Sequence, residues 1–472
     1  MSSPKNALSG ASLALAALLC AALPARAGDR TVLRPMLDVE QNWDSNILNQ
    51  NNSGDIEGGL VTRVSPALWI ENTGELGHAR LGLTAVAREV WRESNLSGID
   101  GLAHGDFERK LTPRLSVFGN GLLDHYSGYD AIGDTGPGNQ GGQPILAQQP
   151  AWNRDQIEGG FSYFFTERLS ARLSGSAGRI NYESINTGPS TEGYYRDRSL
   201  YGAQSALLYQ LTALDQVSAG VDLDDTSYQN LGFGTNDSDI WSAYLGWARS
   251  WTQAWSTKAT LGFRVLDTTQ KDVPQQGTLS NFFPVPLPAK SFSNSGTGLI
   301  GSLSILRAFA RGSIELSYDR DTRSTGGAGK TNFNIDSFTL AWTQRLAERV
   351  RLKLSGNYSL YDSVTNEAPN YRPQDTSVGP CPSGGVPTPI SEFLPGIPVF
   401  QCVGGSATEK REYTTLVGRI EWQMRRTLSA YVVARYYKSL TDQTFGSRDV
   451  TSEDLDKYMF GAGFRYFWDF GL

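Results

Sequence analysis

Phe460-Gly461-Ala462-Gly463-Phe464-Arg465-Tyr466-Phe467-Trp468-Asp469-Phe470-Gly471-Leu472 is the stretch whose reading decides the fold. Phe460, Ala462, Phe464, Tyr466, Trp468, Phe470 and Leu472 form one alternating row, and Gly461, Gly463, Arg465, Phe467, Asp469 and Gly471 lie between them. Alternation at period two reads as a strand with one apolar face and one mostly wet face. A single strand of this kind would suit a soluble sandwich equally well. The pattern recurs along the chain, however, in strand-length pieces separated by turns, as in a β-barrel that crosses an outer membrane.

Working back from that row, alternation and breakers predict an all-β fold. It is a transmembrane, antiparallel, up-and-down barrel of about 18 strands, each roughly 10–16 residues long. The breaks fall into two populations. Short polar turns occupy Leu111–Leu115, Thr166–Leu169, Leu211–Leu214, Thr252–Trp255, Ala347–Val350 and Arg426–Leu428. Between them lie longer Gly-, Asn-, Pro- and Asp-rich connections, the longest from about Gly128 to Asn153, Gln270 to Ser293 and Thr365 to Ala407. Short turns alternating with long loops match the periplasmic and extracellular ends of such barrels. Trp43, Trp69, Trp91, Trp422 and Trp468 fall near strand ends, where an interfacial aromatic girdle would place them.

Composition agrees. No apolar run outside the first residues reaches the ~18 needed for a membrane helix. Mean hydropathy is −0.34, yet aromatics make up 11% of the chain, as alternating lumen and lipid faces would give. Lys5, the apolar Ala11–Leu23 and Ala25-Arg26-Ala27 read as a signal peptide over 1–27, leaving 28–472 as a single barrel domain. A lipoprotein reading of Cys20 meets Leu19 where a small residue is expected. The formal charge is −6, and loss of Lys5 and Arg26 takes it to −8. This balance argues against nucleic acid as a partner. Cys381 and Cys402 then remain in a Pro- and Gly-rich stretch, where an oxidising compartment favours a disulfide contributing roughly 3 kcal/mol. Two free or metal-binding thiols are the alternative.

A barrel of about 8 strands is filled by its own side chains, whereas 16–18 strands leave an aqueous channel. The candidate lumen lining contains Arg80, Arg88, Arg92, Lys258, Arg264, Arg351, Lys353, Arg411, Arg419, Arg425, Arg435 and Arg465. Its acidic members are Asp222, Asp224, Glu315, Asp319, Asp321, Glu421 and Asp469. Basic residues gather in the first and last hairpins and acidic ones in the middle. This gives either a transverse field or a solvated lumen of compensating pairs. Tyr361, Tyr413, Tyr437 and Phe467 share the inward rows and offer either sugar-stacking surfaces or structural filling.

Catalysis finds little support. Asp124 and His125 are adjacent on a strand and point to opposite faces, while His104 and Asp106 share a face without a serine that spacing can assign. Asp222, Asp224 and Asp225 match no calcium loop. The chain is therefore read as a non-enzyme without cofactor or metal.

The closing row resembles the C-terminal assembly signal of bacterial outer-membrane proteins, except that Leu472 stands where Phe is usual. Asp44-Ser45-Asn46-Ile47, Ser65-Pro66-Ala67-Leu68, the following Gly77–Arg92 strand and the Thr-x-Arg-Leu turns resemble the β-barrel porin-2 family. That family includes proteins associated with exopolysaccharide and capsule gene clusters. The resemblance implies an outer-membrane channel that exports a polysaccharide with a periplasmic or inner-membrane co-polymerase. The expected partners are outer-membrane lipid, lipopolysaccharide and the barrel assembly machinery. The alternative function is a porin for passive or substrate-specific uptake of small polar solutes.

Overall fold

The computed structural model describes residues 30–47, 57–93, 96–127, 151–182, 197–228, 235–279, 283–324, 332–364, 386–389, 400–403, 407–445, 448–468 and 470–471. The leader read over 1–27 lies outside them. The first strands are β1 (Arg30–Asp44), β2 (Gly59–Gly74), β3 (Gly77–Val90), β4 (Gly98–Lys110), β5 (Leu115–Tyr126), β6 (Trp152–Phe164) and β7 (Leu169–Tyr182). Next come β8 (Arg198–Gln210), β9 (Asp215–Tyr228), β10 (Thr235–Thr252), β11 (Trp255–Leu279), β12 (Phe283–Phe309), β13 (Gly312–Ser324), β14 (Asn332–Ala347) and β15 (Val350–Val364). The remainder are β16 (Val386–Pro389), β17 (Phe400–Val403), β18 (Ala407–Gln423), β19 (Leu428–Phe445), β20 (Arg448–Phe467) and β21 (Phe470–Gly471).

β16 and β17 pair only with each other in the connection between β15 and β18. Each other strand pairs antiparallel with its sequence neighbour, and β1 closes the ring on β20 and β21. β20 and β21 are two parts of one wall strand. The interruption sits opposite Pro35, whose carbonyl accepts a hydrogen bond from Trp468 N at 3.0 Å. The wall is therefore a closed antiparallel barrel of 18 strands, and the protein belongs to the bacterial outer membrane.

The closing row behaves as its period demands. Phe460, Phe464, Trp468 and Phe470 are exposed on the outside, in line with Leu37, Val39 and Trp43 of β1. Lipid-facing apolar residues and an inward polar row satisfy hydrocarbon and water at once. Across the outer surface Tyr318, Phe338 and Tyr358 lie in one register about midway along their strands, while Trp251, Trp255 and Trp422 stand near the turn end. Four girdle tryptophans, Trp43, Trp91, Trp422 and Trp468, are exposed as expected. Trp69 is the exception: it pairs with Arg34 on the inner face and packs edge-on against His104 at 4.7 Å.

Four of the short turns share one device. Thr112 Oγ1 accepts hydrogen bonds from the backbone N–H groups of Arg114 and Leu115, at 3.2 and 3.0 Å. Thr166, Thr212 and Thr252 repeat it two and three residues on. The hydroxyl closes a local ring that competes with ladder pairing, so the strand ends there. In the turn before β19, Arg425 occupies the threonine position instead.

One long loop is absent. Gln270–Ser293 was expected to be irregular, but β11 and β12 continue past the barrel as a paired ribbon with register shifts between Gln270 and Gln275. Pro284, Pro286 and Pro288 read as breakers. They share one parity, and among the described residues β12 outside the wall is paired only with β11, an edge position of the kind that tolerates proline. The Gly128–Asn153 loop lies between β5 and β6, and Thr365–Ala407 contains the β16–β17 pair. Cys381 lies outside the described residues, as does the side chain of Cys402, and so does their proposed bridge.

Candidate functional site

The seam where β1 meets β20 gathers the densest charge on the inner face. Gly461 and Gly463 stand on the inward row of β20, between β19 and β1. A Cβ at Gly463 would lie 2.6 Å from Tyr431 Oη, and one at Gly461 would collide with Asn42 Oδ1. Their bareness lets side chains bridge β19 to β1 over β20. Tyr431 on β19 donates its hydroxyl to Asp38 at 2.5 Å or to Glu40 at 2.8 Å. Arg435 donates to Glu40 at 2.8 Å and to Asn42 at 3.1 Å, and Arg465 reaches Asp38 at 2.6 Å. Arg419 caps the group, its guanidinium 3.6 Å from the Tyr431 ring. Charge-assisted bonds of this kind are about twice as strong as neutral ones.

Above the seam, towards the long loops, the chain turns inward. Lys457 Nζ lies 2.9 Å from Asp44, with both side chains fully buried. Asp44 also accepts the Asn46 N–H at 2.9 Å, and Ile47 N donates to Glu57 O at 2.9 Å. Ile47, 1% exposed, packs against Val61, Val90 and Met459, with Leu96 at the margin. Val61 and Met459 are in register with Asn42 and Asp44 on the inner face. Asn46 and Ile47, just after β1, are thereby fastened against the inside of the wall.

The candidate lining residues are placed as follows. Arg80 stands on the inner face near the turn end, 3.8 Å from Glu71, which Arg34 holds at 3.1 Å. These three, with Met36, Trp69 and Phe467, border a small cleft. Arg88 is buried on Asp100 at 2.6 Å, and Ser127 accepts a second bond. Arg264 pairs with Asp321 and donates to Thr322 O at 3.1 Å. Lys353 and Arg419 flank Glu421 at 3.7 and 4.0 Å. Ser304 donates to Glu315 at 3.1 Å, and Asp319 is in register with Ser302 and Ser337. Lys258 and Arg351 are exposed on the inward row, whereas Arg411 is buried over the Phe333 ring at 5.3 Å. Arg92 departs from the expectation: β3 ends at Val90, and Arg92 is exposed in the connection beyond. Arg425 lies in the turn before β19, and Asp469 is outside the described residues.

Most of these cations therefore have acidic partners, and the compensated lumen describes the inner face better than two opposed walls. Sequence reasoning missed Asp38, Glu40 and Asp44, all on the inward row of β1. Their even spacing between Leu37, Val39 and Trp43 carried the signal.

Tyr361, Tyr413 and Tyr437 do share a height. With Phe333 they run edge to edge at centroid separations of 6.3, 5.2 and 6.4 Å. All four are buried together with Ile335 and Leu455, so the stripe is structural filling here. Asp124 faces inward to Arg154 at 2.9 Å and His125 outward to Asn153 at 2.8 Å, on opposite faces as alternation requires. Asp106 is held by His78 at 3.3 Å. Asp225 leaves Asp222 and Asp224 for the outer face, and no metal-binding cluster occurs among the described residues.

No family model matches the sequence, and no curated protein matches it. Solved structures do. The ferric-catecholate import receptor Fiu of E. coli K12 is 9% identical, with 91% of this chain and 81% of that one covered at a TM-score of 0.44. The FrpB iron transporter of Neisseria meningitidis is 8% identical, with 95% and 83% covered at 0.43. The siderophore receptor PirA of Pseudomonas aeruginosa is 11% identical, with 94% and 81% covered at 0.42. Likeness at this level concerns the barrel and does not extend to what the chain binds.

Three expectations are corrected. The resemblance to the porin-2 family holds only as far as an outer-membrane barrel. Export of polysaccharide, and with it the co-polymerase partner, is overturned: the similar structures are import receptors and transporters. The porin alternative is corrected on the same finding.

Proposed function

We propose that this chain is an outer-membrane import receptor in which Asn46 and Ile47, fastened to the inner wall just after β1, are released when a polar ligand arrives from outside. The observation that carries this reading is the fastening of Asn46 and Ile47 against the inner wall by the buried Asp44–Lys457 pair and the Val61, Val90, Met459 cluster. The fastening lies on the long-loop side, where a ligand arriving from outside meets it first. A buried ion pair with an apolar neighbour is a two-state element: it is stable when dry and costly to break one partner at a time. Below it, the charge-lined wall supplies the hydrogen-bonding groups that a polar solute needs in place of water.

Planar-bilayer conductance tests the proposal. Wild-type protein is expected to conduct little, and Ile47→Asp, which places a charge in the apolar cluster, to raise conductance severalfold while retaining the heat-dependent gel shift of a folded barrel. A wild-type barrel that stays steadily open, or an Ile47→Asp barrel that conducts no more than wild type, would overturn it.

A further inference from the structure

On the outer face, at the turn end of β10, β11 and β12, two arginines face the membrane. Arg249 lies over the Trp251 ring at 4.2 Å. Arg307 lies over the Trp255 ring at 4.9 Å and near the Phe309 ring at 5.3 Å. The register joins them into one patch, with Arg249 opposite Thr257 and Arg307 opposite Trp255, on either side of β11. Trp251 Nε1 donates to Thr257 Oγ1 at 3.1 Å, which lays its indole over β11 between the two guanidinium groups.

The charges do not balance. Arg249 has Asp215 at 3.4 Å, whereas Arg307 makes no ion pair or hydrogen bond among the described residues and is exposed. A guanidinium on the lipid-facing surface is tolerated only near the interface, where an anion can reach it. Tryptophans on either side fix the depth at the headgroup level. Further along the same strands the outer surface is apolar and exposed: Leu245 and Phe263, then Leu261, Leu299 and Leu303. Ala259 and Gly301 leave shallow room between those leucines.

We infer that this patch is a binding site for an anionic glycerophospholipid of the periplasmic leaflet. Its phosphate would be held by Arg307 with help from Arg249, and its acyl chains would lie along the Leu245–Leu261–Leu303 surface. A divalent-bridged lipopolysaccharide is excluded as occupant by position, since the patch sits at the turn end. Cation–π contacts keep both guanidinium groups extended along the surface with their N–H donors available to phosphate oxygens.

The test is native mass spectrometry of the purified full-length barrel, loaded with phosphatidylglycerol or phosphatidylcholine of matched chains. Wild type should retain phosphatidylglycerol preferentially. Each interfacial cation favours anionic lipid by a factor of about five, so Arg307→Gln should lower that preference about fivefold and Arg307→Lys should restore most of it. Arg351→Gln, on the inner face, should leave lipid retention unchanged and controls for a general loss of charge. Equal retention of the two lipids by wild type, or an unaltered preference in the Arg307→Gln, Arg249→Gln double variant that still shows the gel shift, would overturn the inference. Loss of conductance control without loss of lipid preference bears on the import reading alone.

Discussion

At position 431 a single hydroxyl serves two carboxylates, Asp38 and Glu40, that lie 393 and 391 residues earlier in the chain. One proton cannot satisfy both acceptors at once, so Arg435 and Arg465 supply the remaining donors. Tyr431→Phe should cost about 1–3 kcal/mol, the range for leaving buried acceptors short of a donor. The urea midpoint of the refolded barrel in detergent reads this, and a midpoint equal to wild type would refute the assignment. The Asp44–Lys457 pair is more demanding because it is dry. Lys457→Met should destabilise by about 3–5 kcal/mol, and combining it with Asp44→Asn should recover part of that loss, because the buried charge goes too. A double variant as unstable as the sum of the two singles would remove the pair from the account. None of these partnerships was legible in the sequence, since no local pattern links residues so far apart. What was legible was parity: Asp38, Glu40 and Asp44 alternate with Leu37, Val39 and Trp43, and that alone assigns them to the inner face.

At the scale of the element, the barrel wall could be read because a lipid-facing strand has no freedom in its pattern. Outward positions within the hydrocarbon, away from the interfaces, must be apolar, and the row from Phe460 to Phe470 obeys this. The turns were legible as a repeated composition, but the reason for it, a threonine hydroxyl accepting two backbone N–H groups, emerges only from geometry. Thr212→Val removes those bonds and the hydroxyl's own bond to Asp215. It should cost about 1 kcal/mol, measured as a lower thermal midpoint for loss of the gel shift. The ribbon of β11 and β12 was misread, because proline predicts a break only where both edges are paired. Beyond the wall the ribbon leans on no other strand in the described pairing. Replacing residues 270–292 with a two-residue Asn-Gly turn, which joins the register partners Thr269 and Ser293, should therefore leave a folded barrel, as judged by the gel shift and by protease resistance. A variant that fails to fold would mean that the ribbon supports the wall.

For the whole molecule, the 18-strand ring sets how it is assembled. Asp38, Glu40 and Asp44 belong to the first strand of the wall, and Arg435, Arg465 and Lys457 belong to its last two. A growing chain therefore presents three acids early and the cations that match them only after the rest of the wall has been made. Contacts of such long sequence separation form slowly, because the loop between them must close before they contribute. A prematurely terminated product ending at Arg426 would retain sixteen strands' worth of apolar surface yet have an acidic edge with nothing to receive it. Such a product should show no gel shift and should be digested by added protease. The glycine-cleared crossing of β20 is thus the place where the first strand of the wall and its last two find their register as the ring seals.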